Sequence, residues 1–236
     1  MITLIGFDAD DTLWRCEKFF REAEREFAAL FDRPPEESIG LYQQIAEANI
    51  PRIGYGIASS LQAMLACGNI LAGGSLDPAR FQAIVRLNRK LADHPVELLP
   101  GAAEAVKILA GRCRLRIITK GRREEQERKL RLSGLSGHFE AMDVFPEKTA
   151  GHYRRLLERL SLAPASFLMI GDSRSGDVDP VKEIGGGAVY LSGTEHWRPD
   201  RGRLRPDREI RTLEELPELL LRNFRLSEEQ PIIRRP

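Results

Sequence analysis

The chain has 236 residues, 42% hydrophobic and 30% charged, a composition that suits a folded protein with a sizeable core and excludes a disordered one. Lys+Arg 36 against Asp+Glu 35 leaves a net charge of +1, which gives no ground for a nucleic-acid-binding role. No apolar run approaches the ~20 residues needed to cross a bilayer. The first strand meets acids too early for a secretory signal. The three cysteines, Cys16, Cys67 and Cys113, show no CxxC spacing. The expectation is therefore a cytoplasmic protein with reduced thiols and neither a membrane nor a nucleic acid as partner.

The apolar run Leu4-Ile5-Gly6-Phe7 predicts a strand that ends in Asp8-Ala9-Asp10-Asp11-Thr12. Crowded carboxylates raise one another's pKa unless a cation is shared, and Mg²⁺ typically takes one or two carboxylates together with phosphate oxygens. The local expectation is thus a Mg²⁺ and phosphoryl site, against a solvated acidic turn.

Downstream of Trp14 the pattern becomes helical. Phe19, Phe20, Ala23, Phe27, Leu30 and Phe31 recur at helical spacing ahead of Pro34-Pro35. A second helix is expected from Glu36 to Ala48, ending before Pro51. A third should run from Gly56 to Cys67 with Gly68 past its end, and a fourth from the Asp77-Pro78 cap to about Asp93. Residues 15–95 therefore read as an all-helical insert between 1–14 and 96–236.

Beyond Pro100, helices and strands alternate. Helices are expected over Ala102–Ala110, Arg122–Leu132 and Thr149–Leu160, and strands over Leu115–Ile118, Met142–Phe145, Phe167–Ile170 and Ala188–Leu191. The second of these helices is charged, with Glu124/Arg128, Glu125/Lys129 and Glu127/Arg131 at i,i+4. Gly185-Gly186-Gly187 precedes a strand, so it reads as a helix end and not as a dinucleotide loop. Arg198, Arg201, Arg203, Arg205 and Arg208 mark a basic surface loop, without the aromatic residues of a nucleic-acid patch. His94, His138 and His152 have no metal-ligand spacing.

The alternation predicts an α/β fold, a doubly wound parallel sheet carrying the helical insert. Such a sheet delivers the C-terminal ends of its strands to one edge. Asp8 and Asp10, Thr119, and Asp172 and Asp177 each follow an apolar strand run, and Lys148 follows another. Carboxylates for a cation, one hydroxyl and one ammonium form a set suited to phosphoryl transfer.

Taken together, these stretches resemble the four motifs of the haloacid dehalogenase superfamily. Asp8-Ala9-Asp10-Asp11-Thr12 matches the first motif and Thr119 the second. Lys148 matches the third, and Gly171-Asp172 with Asp177 the fourth. The helical block lies where that family carries its cap in the C1 position. The resemblance implies a phosphatase acting on a small phosphorylated metabolite with Mg²⁺ as cofactor. Asp8 would be the nucleophile, forming an aspartyl-phosphate. Asp10 would be acid and base, with its backbone carbonyl on the metal. Asp172 would ligate the metal too, with Asp177 supporting it or orienting Lys148, and Thr119 and Lys148 would hold the phosphoryl oxygens. Asp11 stands where glycine is frequent, and Thr149 follows Lys148 in place of proline. Neither departure removes a functional group.

Other readings are weaker. Gly171-Asp172-Ser173 with His196 as base would suggest a serine esterase, but the stretch lies late in the chain beside a second acid. A receiver-like phospho-acceptor module shares the acids, the threonine and the lysine, but not the helical insert. A dehalogenase needs no acid at position 10, since halide leaves unprotonated, so Asp10 favours the phosphatase. A phosphomutase shares all four motifs. Asn49, Arg52 and Tyr55 are loose candidates for substrate selection, and Trp14 is expected either at the site entrance or packed beneath the insert.

Overall fold

The computed structural model describes residues 1–194 and 201–226, so His196 and Arg198 lie outside the described residues. The chain divides into two compact units, Met1–Arg15 with Val96–Pro236, and Cys16–Pro95.

The first unit is built on a six-stranded parallel sheet in the order β3-β2-β1-β4-β5-β6. Its strands are β1 Leu4–Phe7, β2 Arg114–Lys120, β3 Ala141–Phe145, β4 Phe167–Gly171, β5 Gly187–Leu191 and β6 Arg208–Ile210. Alternate residues of the central strands bury on opposite faces. Ile5, Phe7, Ile117, Leu168 and Ile170 pack against a helix over Ala102–Ala110, whereas Leu4, Ile118, Phe167 and Met169 pack against Tyr153, Leu156 and Leu157 of a helix over Ala150–Arg159. Both faces being covered explains why these strands read as continuous apolar runs. Gly6 is fixed by packing, since a Cβ there would come within 2.8 Å of Ile118 and 2.9 Å of Phe167. The strand order turns back between β1 and β4, the point at which an open α/β sheet forms its ligand crevice.

The second unit holds four helices: α1 Glu17–Ala28, α2 Pro35–Ile53, α3 Ile57–Leu71 and α4 Pro78–Ala92. They enclose Phe27, Tyr42, Met64, Cys67, Ile84 and Leu91. The Asp77 carboxylate accepts from the Arg80 backbone N–H at 3.0 Å, the expected N-cap.

Two boundaries differ from expectation. α2 continues through Pro51 to Ile53, because a proline in the final turn forfeits little of the ladder, and Gly54 at φ 83 then ends the helix. α3 passes through Gly68, which is a packing residue and not a cap: a Cβ there would sit 2.9 Å from Ile84. Gly73 at φ 73 and Gly74 at φ 95 follow the true end. The remaining helices of the first unit are α5 Ala102–Ala110, α6 Arg123–Leu132, α7 Ala150–Arg159, α8 Asp179–Glu183 and α9 Leu216–Asn223. Strand β6 lies at the end of the arginine-rich stretch and has a single buried residue, Ile210, so three residues gave too little alternation to be seen beforehand. α9 is preceded by a capping box between Thr212 and Glu215.

The three cysteines are free and buried. His94 stacks on Phe19 at 4.4 Å and His152 on Phe145 at 5.0 Å, both packing roles. No helix among the described residues is long and apolar enough to cross a membrane.

Candidate active site

Strand pairing decides which side chains meet. Phe7 is in register with Ile117 of β2 and with Ile170 of β4, so Asp8, Thr119 and Asp172 emerge at one edge within two residues of that row. The Asp8 backbone N–H still donates to the Ile170 carbonyl at 2.9 Å, so the first carboxylate is tied to the end of β4. Asp11 then turns the chain at φ 59. Glycine takes that left-handed conformation without cost and aspartate is among the few other residues that tolerate it, which accounts for the departure from the usual motif. Thr12 closes the loop, donating from Oγ1 to Asp172 Oδ1 at 3.1 Å and accepting from the Asp172 N–H at 3.1 Å.

The opposite wall follows β4. Ser173 Oγ caps the wide helical turn Arg174–Val178 by accepting from the Gly176 N–H at 3.1 Å. That turn brings Asp177 back over Gly171, where an added Cβ would come within 2.2 Å of Asp177 Oδ2. Gly171 therefore makes the room Asp177 occupies. Asp177 Oδ2 accepts from the Ser173 N–H at 3.1 Å. Tyr153, fully buried on α7, donates its hydroxyl to the Gly176 carbonyl at 3.2 Å and supports the turn from below.

Lys148 enters just ahead of α7, whose cap is Thr149. Its ammonium bridges Asp8 Oδ1 at 2.5 Å and Asp177 Oδ1 at 2.7 Å. Burial works against that ammonium, but the Asp177 and Asp8 charges outweigh it and hold its pKa above that of an ordinary lysine. Burial also pushes Asp177 up to about 6, Lys148 opposing the shift and Asp8 adding to it. For Asp172 burial is again the main cause, joined by repulsion from Asp8 and Asp177, and its pKa lies well above the usual carboxylate value.

Asp8, Asp172 and Asp177 offer oxygens that all lie within 4.8 Å of one another. Three carboxylates with one lysine leave a formal excess of two negative charges. A buried set of hard oxygen donors with that excess fits a divalent cation such as Mg²⁺. The Asp10 carboxylate does not belong to the group. It turns to α6, so any share it has in holding a cation falls to its backbone carbonyl.

Thr119 is buried at the end of β2, with Oγ1 3.4 Å from the Lys120 carbonyl, the long limit of a hydrogen bond. Trp14 is fully buried in the core of the first unit, and its Nε1 donates to Asp10 Oδ1 at 2.7 Å. Of the loose candidates for substrate selection, Arg52 is exposed near the end of α2, and Asn49 and Tyr55 are half-buried. Nothing in the second unit's own packing singles them out.

The sequence alone did not reveal Gln126, Lys129 or Tyr153 as parts of the site. Gln126 and Lys129 stand at i,i+3 on α6, a spacing that places both on one face. That signal was hidden by the regular charge pattern of the same helix.

Comparison with known proteins identifies the family and the fold. A family profile described as "Hydrolase: haloacid dehalogenase-like hydrolase" matches residues 2–185. A haloacid dehalogenase-like family hydrolase from Xanthomonas campestris is 30% identical, with 94% of this chain and 95% of that one aligned at a TM-score of 0.78. A putative HAD-hydrolase from Bacillus subtilis, bound to magnesium, shares the fold at 22% identity over 93% and 98% of the two chains, with a TM-score of 0.66. An L-2-haloacid dehalogenase from Xanthobacter autotrophicus, with chloropropionic acid covalently bound, shares it at 17% identity over 95% and 100%, with a TM-score of 0.68. A search of curated proteins gave no match.

Proposed function

The chain belongs to the haloacid dehalogenase-like hydrolases, and from that premise we propose a Mg²⁺-dependent phosphatase acting on a small phosphorylated metabolite. The observation that carries the reading is the acid two residues beyond the nucleophile position. Asp10 accepts three side-chain hydrogen bonds, which fix its carboxyl group in the same loop as Asp8. A halide leaves without a proton, whereas an alkoxide does not, so a placed acid serves phosphate esters.

In this reading the Asp8 carboxylate attacks phosphorus and the bond to the leaving oxygen breaks, with Asp10 supplying its proton. A water molecule then gives its proton to Asp10 and attacks the aspartyl-phosphate, which frees Asp8 and releases inorganic phosphate. The proton gained in the second step is the one the next leaving group requires. Lys148, already bridging Asp8 and Asp177, and the Thr119 hydroxyl at the neighbouring strand end would hold the phosphoryl oxygens. Mg²⁺, held by Asp8, Asp172, Asp177 and the Asp10 carbonyl, would neutralise charge on the phosphoryl group. The helices of the second unit are proposed to be the family's C1 cap and to set substrate choice.

Hydrolysis of nitrophenyl phosphate should vanish in excess chelator and return with Mg²⁺. Full activity in chelator, or release of halide from a 2-haloacid with no action on phosphate esters, would reject the phosphatase reading.

A further inference from the structure

The Asp10 side chain is held from outside its own loop. Lys129 Nζ donates to Oδ1 at 2.5 Å, beside the Trp14 Nε1 contact, and Gln126 Nε2 donates to Oδ2 at 2.8 Å. Lys129 and Gln126 are buried, at 6% and 3% exposure, although they lie on a highly charged helix. Gln126 Nε2 also donates to the Lys120 carbonyl at 3.1 Å, so both of its amide hydrogens are engaged. Turning the amide over would set its oxygen against the carboxylate, so its orientation is fixed. The end of β2, which carries Thr119, and the loop that carries Asp10 are thereby joined through one side chain.

Acceptor capacity shows what this arrangement leaves available. A carboxylate oxygen accepts about two hydrogen bonds. Among the described residues Oδ1 has two donors and is filled, whereas Oδ2 has one, which leaves one acceptor position on Oδ2. Had all positions been filled, the carboxylate could neither carry nor take a proton without breaking a contact.

We infer that Gln126 and Lys129 are positioning residues that hold the Asp10 carboxylate with one face of Oδ2 open for the proton it exchanges with the leaving group and with water. The inference rests on the reading of Asp10 as acid and base.

The test compares two substrates of nearly equal size and unequal leaving group. Nitrophenolate departs unaided, whereas phenol is about as weak an acid as tyrosine, with a pKa of about 10. Phosphoenzyme formation is followed by rapid quench with nitrophenyl phosphate and with phenyl phosphate. In Lys129→Met and in Gln126→Leu, the phenyl phosphate step should slow on the order of 10-fold more than the nitrophenyl step. Lys129→Arg, which keeps the charge and a donor, should restore most of the loss. Normal burst amplitude with nitrophenyl phosphate shows that a variant is folded. Equal slowing of both substrates in the two variants, or no slowing, overturns the inference. Asp10→Asn separates the two layers. If it shows no leaving-group preference, the acid reading itself fails; if it shows the preference and the α6 variants do not, only the positioning role fails.

Discussion

Replacing Asp8 by asparagine should lower turnover of any phosphate ester by roughly 10⁴–10⁶-fold, the scale seen when a nucleophile is removed from a site that acts as a unit. The amide fills the same volume and can still accept from Lys148, so the fold should survive. The electrostatics make that claim stronger. The wild-type cluster carries three carboxylates against one ammonium, and burial pushes Asp172 and Asp177 upward with Asp8 adding to both shifts. Removing one negative charge relieves that repulsion, so in chelator the variant should melt at or above the wild-type temperature. Steady-state kinetics with thermal melts would show both effects. Turnover within 10-fold of wild type would mean that Asp8 is not the nucleophile.

Lys148→Met should act in two opposite directions. Lys148 is 4% exposed and its ammonium bridges two carboxylates, and breaking a buried pair typically costs about 3–5 kcal/mol because the remaining charge is left unmatched. Melting in chelator should fall on the order of 10 °C. Loss of a positive charge beside Asp8, Asp172 and Asp177 should meanwhile tighten Mg²⁺ binding, so half-saturation moves to lower Mg²⁺ and the ion recovers most of the lost stability. Turnover should still fall by two or more orders of magnitude, since a phosphoryl contact is gone. Weaker Mg²⁺ binding in this variant would show that Lys148 helps to build the cation site instead of balancing it.

Much of this was legible in the residues. An apolar strand that stops at an acid announces itself, and a parallel sheet brings such strand ends to one edge wherever they fall in the sequence. Asp8, Thr119 and Asp172 follow from that rule, and the register of Phe7 with Ile117 and Ile170 realises it. Lys148 could be found by its place in the loop after another strand. What stayed hidden was long-range and side-chain specific. The Lys129 contact to Asp10 spans 119 positions along the chain and sits on a helix of alternating charges, where composition suggests a wet surface. Trp14 was expected at the site entrance or beneath the insert, and its ring is fully buried in the first unit's core. Pro51 and Gly68 misled for the opposite reason: their backbone preferences are strong in general, but a last helical turn tolerates the first and tight packing against Ile84 uses the second. β6 was too short to carry a pattern.

The most direct measurement is to quench the enzyme within its first turnover of a phosphomonoester in Mg²⁺ and map the modified peptide by mass spectrometry. A phosphoryl group is expected on Asp8, absent in Asp8→Asn. Phosphate on another residue would contradict it, as would a 2-haloacid that esterifies Asp8 while phosphomonoesters leave it unmodified.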